Sequence, residues 1–579
     1  MFITKKGIFV MQLTFLNKKN WKKVAIIVFT IALFLLVSIL AVYQAQIFQG
    51  KIWSFLGTSD DRFHNMRIEG LYHSLLRHQY FPFINMSFMN GFGYIVNIFY
   101  SDFLLYPAAF LRLMGYSSAQ AIVGLNILLT FLTMGVSFLC FYKIKKEYWS
   151  SLVFSFVYTL STYRMYDVLY RHDLGEVGAF IFLPIALLGI YEIFYGEHKN
   201  WLYLTFGMTG IIYSHAITPI LMAILIVAVA LCQIGELKKT PTRLLSLCWA
   251  TICSLLLTAA YFLPMLEQVK HTKFILTQSN SNLVAAAADF SDMAHSSLNN
   301  AYNQSNPGIL MFFAAIIVFI SLSKIENKAV RDFSLIGAVM LLCSTKLFPW
   351  ELLNKTPIKM IQFPWRFYMI ASLLLAVFVA ADPLGIFKKR TMKTLLIVLV
   401  MLLAISSEYR LVNDSPLQRN TYEAYSKSEP YSIGAGQEYL PIGTNLSKLQ
   451  RSKHKPQVTK GKAKITNFKQ YGTRLSFNFK NAKHAKVDLP IIGYYGFQST
   501  QSKGKVSKLR VDKTNNNLAQ VTVHGKGKVV VDYFETTTQK VARRTSFLSL
   551  LVIIAVLFIN KLNLIDFSKI EGLKSNKEK

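Results

Sequence analysis

The chain has 579 residues, 53% of them apolar, a mean hydropathy of +0.35 and a formal net charge of +33. A soluble protein of this length would divide into several domains with polar surfaces. Here the apolar residues gather into nearly uncharged runs of about 16–22, close to the ~20 that cross a bilayer as a helix. The runs lack the polar alternation of barrel strands, and lipid satisfies no backbone group, so a soluble enzyme and a transmembrane β-barrel are both excluded.

In chain order the runs predict about twelve spans, at 24–44, 118–141, 149–165, 175–195, 201–216, 217–234, 243–264, 308–323, 332–348, 367–382, 392–406 and 546–562. Thr218-Pro219 marks a turn or kink between the fifth and sixth. The apolar stretch 94–114 carries Asn97, Asp102, Pro107 and Arg112, and reads as re-entrant or interfacial. This divides the chain into a cytoplasmic N-terminus (1–23), a helical membrane domain (24–406) with a first outer loop at 45–117, an outer domain (407–545), a last span (546–562) and a cytoplasmic tail (563–579).

Loop charge orients the chain, because Lys and Arg collect on the cytoplasmic side of short loops. Lys18, Lys19, Lys22 and Lys23 precede the first span. Every second short loop is then basic: Lys143 to Lys146, Lys238-Lys239 with Arg243, Lys324 to Arg331, and Lys388 to Arg390. Glu197-His198-Lys199 is the nearly neutral member. The first run, about 20 residues, exceeds the ~7–15 of a signal-peptide core and predicts an uncleaved anchor. Cys140, Cys232, Cys248, Cys253 and Cys343 all lie in or beside spans, so no disulfide framework supports the outer regions.

The outer domain carries about 25 Lys and Arg against about 9 acids. Its first part, to about 457, is loop-like. Alternating segments at 463–468, 475–479, 487–492, 506–511, 519–523 and 529–534 then predict antiparallel strands and a small β-sandwich. The charge suits either a solvated surface or attraction to anionic wall polymers and lipid phosphates. No recognition motif accompanies it, which argues against nucleic acid.

Ionisable residues beside spans are costly and become functional candidates. Asp60 and Asp61 precede His64 by four and three residues, which places carboxylate and imidazole on one helix face. Such a set serves as a general base, or binds a divalent metal such as Mg or Mn through oxygen and nitrogen. The alternative is that Asp60 caps the helix. The second outer loop holds Arg164, Arg171, His172, Asp173 and Glu176. Arg164 and Arg171 match phosphate oxygens in a bidentate fork, or belong to an internal salt-bridge set. His215 ends the fifth span, and Gln362, Trp365 and Arg366 precede the tenth. Arg366 there meets a lipid phosphate or snorkels. There is no P-loop, GxGxxG, HExxH or GxSxG, which excludes an ATP-driven pump and a soluble-type nucleotide-sugar enzyme.

Several of these residues also carry a family resemblance. An acid after the first span, then His64, Leu75-Leu76 and Phe81-Pro82, is similar to the membrane-embedded GT-C glycosyltransferases. Arg171-His172-Asp173-Leu174-Gly175-Glu176 and Gln362-Phe363-Pro364-Trp365-Arg366-Phe367 resemble the bacterial YfhO-like group and its relatives, labelled 6-pyruvoyl-tetrahydropterin synthase-related membrane proteins. Leu489-Pro490 and Tyr494-Tyr495-Gly496 resemble that group's β-rich outer domain, so the resemblance runs over nearly the whole chain. Nothing resembles a pterin enzyme's zinc histidine set.

The resemblance implies a GT-C-like helical fold. It implies transfer of a sugar from a polyprenyl-phosphate carrier to an extracytoplasmic acceptor, such as lipoteichoic acid or a glycolipid. The base or metal-ligand role then falls on Asp60 or Asp61, and Arg171 or Arg366 would meet the leaving phosphate. The rival readings are a flippase or transporter of lipid-linked saccharides and a non-catalytic envelope scaffold.

Overall fold

The computed structural model of the protein describes residues 18–43, 51–54, 60–278, 282–414, 418–500 and 502–561. A helix stands at each of the twelve predicted spans. Seven helices are long and apolar enough to cross a membrane: Trp21–Val42, Ser118–Lys145, Leu174–Phe194, Thr242–His271, Pro364–Ala381, Arg390–Leu411 and Thr537–Phe558. The other five, Tyr148–Thr159, Leu202–Ser214, Thr218–Cys232, Gly308–Ser321 and Lys328–Cys343, have 12 to 16 residues. At 1.5 Å per residue the shortest covers about 18 Å of a ~30 Å bilayer core. By length and composition, seven of the twelve helices are candidate spans among the described residues. Breaks in the chain set the short ends. Leu160-Ser161 parts Tyr148–Thr159 from Thr162–Tyr166, and extended backbone at His215 ends Leu202–Ser214.

The stretch 94–114 forms two short helices, Val96–Phe99 and Tyr106–Leu113, and no span. Helix Arg390–Asp414 runs through the expected boundary at 407, and the last helix begins at Thr537 rather than 546. Strand β1 (Lys51–Ser54) pairs antiparallel with β2 (Gln418–Thr421), which ties the segment after the first helix to the start of the 407–545 domain.

The predicted β-sandwich is instead one six-stranded antiparallel sheet. Its strands are β3 (Gln457–Tyr471), β4 (Arg474–Ile492), β5 (Phe497–Ser499), β6 (Lys503–Val506), β7 (Arg510–Asp512) and β8 (Leu518–Tyr533). The order is β3-β4-β8-β5, with β6 and β7 also pairing β8. The predicted segments 475–479 and 487–492 are two ends of β4. Between them the register shifts at Phe479/Ala482 and Ala482/Ala485, with Asn481 and His484 at positive φ. These bulges keep Leu475, Phe477, Phe479, Ala482, Ala485 and Val487 on one buried face. The polar sequence between the two segments reads as a break, but it is absorbed inside one strand.

A sheet with one apolar face must cover it. No second sheet does so among the described residues. The cover is the segment 60–117 after the first helix, whose Phe88, Phe92, Tyr94 and Phe99 share a core with Phe274, Leu440, Phe477 and Phe479. Phe99 stacks on Tyr439 at 5.1 Å and meets Phe274 edge-on at 4.8 Å. Phe99→Ala should cost about 3–5 kcal/mol, seen as a lower unfolding temperature of the detergent-solubilised chain.

Candidate active site

Helix Asp61–Leu76 starts with Asp60 at its N-cap, and the Asp60 amide donates to the Arg171 carbonyl at 3.0 Å. That bond joins the segment after the first helix to the one before helix Leu174–Phe194. After Arg171 the chain turns through His172, whose φ of +58 is left-handed. Asp173 then caps helix Leu174–Phe194, its Oδ1 accepting from the amides of Gly175 at 3.0 Å and Glu176 at 3.2 Å. The reversal at His172 lets Arg171 fold back onto the start of the helix that follows it. Gly175 is needed here: a Cβ would stand 1.8 Å from the Tyr100 hydroxyl. That hydroxyl donates to Asp173 at 2.8 Å.

Arg171 is the hub. It pairs with Asp173 at 2.8 Å, Glu176 at 2.9 Å and Asp167 at 3.2 Å, through its two terminal nitrogens. Its Nε faces Asp60 at 4.0 Å. Trp365 lies under the guanidinium, 4.9 Å to the ring centroid. Arg366 holds Glu176 from the other side at 2.8 Å and donates to Gln362 Oε1 and the Ile361 carbonyl, each at 2.8 Å. The Tyr163 hydroxyl donates to the second Glu176 oxygen at 2.6 Å. His215 bonds Thr218 at 2.8 Å and approaches Asp173 and Glu176.

The two aspartates that the sequence leaves undivided part company. Asp61 is buried, one oxygen accepting from the Tyr425 hydroxyl and the other, Oδ2, without a hydrogen bond among the described residues. The Asp60 carboxylate is 39% exposed at the mouth of the cluster. Surrounding protein first, then the Asp173 charge, push it up to about 6, against the pull of Arg171. Burial works against the charge on Asp173 too, but Arg171 wins there and holds that carboxyl well below the usual range. Glu438, from the loop before the sheet, adds its charge near Asp60.

His64 is held from its Nδ1 side. Arg67 reaches its Nδ1 at 3.1 Å. Arginine only donates, so Nδ1 accepts and the imidazole proton sits on Nε2, 3.9 Å from Asp173. Burial and then the Arg67 charge hold His64 well below its ordinary value. Burial also lowers His172, partly offset by Asp61. Arg67 completes a second buried set with Asp102 at 3.2 Å and the carbonyls of Tyr100 and Ser101. Sequence reasoning missed Arg67, Tyr100 and Tyr425. The available signal for Arg67 was its position three residues after His64, on the same helix face.

The phosphate assignments change as well. Arg164 lies outside the cluster, fully buried, donating to the Thr159 carbonyl at 3.1 Å and to Thr130 at 3.1 Å. Arg171 bonds to carboxylates, which is the internal salt-bridge alternative, and Arg366, buried rather than snorkelling, bonds to Glu176, Gln362 and the Ile361 carbonyl. Nor do Asp60, Asp61 and His64 form a metal set, since Tyr425 takes one Asp61 oxygen and Arg67 takes His64 Nδ1. The one convergent trio among the described residues is Asp173, Glu176 and His215, with atoms within 4.8 Å. Its two carboxylates already hold guanidinium groups, so its donor set does not fit a divalent ion without displacing them.

The family model described as bacterial membrane protein YfhO matches residues 69–428. The chain belongs to the YfhO family. The family match takes in Arg171 to Glu176, Gln362 to Phe367 and Tyr425, and it begins after Asp60, Asp61 and His64. It also ends before the six-stranded sheet, so it is shorter than the resemblance read from the motifs. No curated protein matches the chain.

The folded chain binds the Asp60 proton more tightly than the unfolded chain does. Its contribution to stability therefore falls as pH rises from 3.8 to about 6. Asp60→Asn should raise the unfolding temperature at pH 7, with the gain vanishing below pH ~4, as thermal melts across pH would record.

Proposed function

We propose that this YfhO-family membrane protein is a glycosyltransferase that moves a sugar from a polyprenyl-phosphate carrier to an extracytoplasmic acceptor, with Asp60 as the general base. The observation that carries this reading is the Asp60 carboxylate, exposed at the mouth of a buried acid–arginine cluster and raised to about 6. A base with that affinity is ionised near neutral pH and still holds a proton well enough to accept one in a transition state.

In this reaction the acceptor hydroxyl oxygen bonds to the anomeric carbon as the bond from that carbon to the phosphate oxygen breaks. The hydroxyl proton goes to Asp60, and the bonding electron pair leaves with the polyprenyl phosphate. Attack opposite the leaving group inverts the anomeric centre. Arg171, whose Nε faces Asp60 rather than the buried acids, is the guanidinium that would supply positive charge at the mouth for the leaving phosphate. Positive charge developing on the sugar ring is favoured by the surplus of carboxylates over arginines around Arg171 and Arg366.

A lipid donor is supported by a groove of about 450 Å³ lined by Phe81, Phe103, Leu257, Phe547 and Leu550. It opens beside Asp102, which Arg67 links to His64. An apolar channel of this kind suits a prenyl chain more than a water-soluble nucleotide sugar.

Asp60→Asn should lower sugar transfer in membranes by about 10²–10⁴-fold at unchanged protein level, the range for a lost general base. Asp61→Asn, which keeps an oxygen for Tyr425, should stay within about tenfold of the parent chain. The parent's rate should rise with pH through about 6. Full transfer by Asp60→Asn would sink the assignment, as would a flat pH profile. Comparing the envelope polymers of a deletion strain and its parent by mass spectrometry would identify the sugar and acceptor.

A further inference from the structure

The largest feature left unused by this reaction is the charge of the sheet. Across β3 and β4, Lys460 stands opposite Lys486, Lys462 opposite Lys483, and Lys464 opposite Lys480. All six are exposed, and none has an ion pair among the described residues. Residues 457–471, 475–487 and 519–531 contain no acid, and the acid at the end of β4, Asp488, is buried and accepts from Asn515 and Gln520 rather than pairing with a lysine. Like charges placed directly opposite one another destabilise a strand pair.

The alignment is built rather than incidental. On β3 the lysines recur every second residue, but on β4 they recur every third. Regular strands would send lysines at a three-residue spacing to alternate faces. The register shifts at Lys460/Lys462 and Lys462/Lys464 remove one residue of β4 at each step, with Asn481 and His484 held at positive φ to do it. Gly461 serves the same approach, since a Cβ there would lie 2.8 Å from the Lys483 carbonyl.

Lysines often guard an exposed sheet edge against pairing with other chains. That accounts for β3, which is an edge strand. It does not account for β4, which lies between β3 and β8.

We propose that this double row is a docking track for a linear polyanion carrying regularly spaced phosphates, and that it holds the acceptor polymer of the proposed reaction. The second half of that statement rests on the glycosyltransferase reading; the first does not. The row is two lysines wide and three long, with steps of about 7 Å along β3, two strand residues apart. A twisted strand pair presents this row as a narrow curved strip. Such a strip follows a flexible chain of phosphates better than it meets the plane of lipid headgroups.

The test is binding by the full chain in detergent micelles, with long-chain inorganic polyphosphate as the probe. Lys460, Lys462 and Lys464 are changed together to Gln, and Lys480, Lys483 and Lys486 likewise. A control changes the exposed Lys448, Lys453 and Lys455 to Gln, which removes the same charge elsewhere. Each ladder variant should bind at least about tenfold more weakly at low salt, with a shallower salt dependence, while the control stays near the parent. Both ladder variants should melt no lower than the parent, because repulsion is relieved. An equal loss in the control would overturn the track in favour of diffuse charge. Binding to phosphatidylglycerol vesicles without binding to polyphosphate would overturn it in favour of a lipid surface. The readout needs no turnover, so a chain that binds polyphosphate but transfers no sugar would refute the reaction and leave the track standing.

Discussion

Just before helix Leu174–Phe194, the Arg171 guanidinium is divided among Asp173, Glu176 and Asp167, while the Arg171 carbonyl accepts from the Asp60 amide. Glu176 has no exposed surface and Asp173 has 3%. Carboxylates so placed cost several kcal/mol each unless paired, and removing one partner of a buried pair typically costs about 3–5 kcal/mol. The rest of the site depends on this pairing. Arg366 docks on Glu176 from the helix that follows it, Tyr100 docks on Asp173 from the first loop, and Trp365 lies beneath Arg171. The ion pairs are therefore the joint through which four separate segments meet.

Around that joint the two aspartates of the first loop acquire different work. Asp61 turns inward to Tyr425, a residue on the far side of the membrane domain in sequence. Asp60 turns outward, crowded by Asp173 but still wet. One carboxylate is locked against Tyr425, and the other, 39% exposed, faces the Arg171 Nε. His64, whose spacing from the aspartates suggested catalysis, is fixed by Arg67 in a tautomer that offers no lone pair to the mouth. The histidine sets geometry there, and Asp60 is the carboxylate left at the mouth of the cluster.

The sheet shows a related division between charge and position. Counting residues reveals that 407–545 is basic, and alternation reveals most of its strands. Neither reveals that 480–486, which looks like a turn-rich break, continues a 19-residue strand. Bulges accommodate its extra residues, and the same bulges line up lysines of unequal spacing. The covering layer was equally hidden. Phe88, Tyr94 and Phe99 lie in a segment that reads as interfacial, and they serve as the second half of the outer core.

From the linear chain alone, the membrane class, the places of the helices, the family motifs and the basic, strand-forming character of 407–545 were legible. These are local properties: a hydropathy run, a charge bias or a short motif is complete within about 20 residues. Which helices are long enough to span, which aspartate faces the cleft, and whether an arginine is free or already paired were decided by the tertiary structure. Glu176 and Arg366 are 190 residues apart and Asp61 and Tyr425 are 364 apart. Such pairings are set by how buried groups find partners in the packed molecule, since burial makes an unpaired charge expensive and so dictates who meets whom. No spacing rule along the chain carries that information.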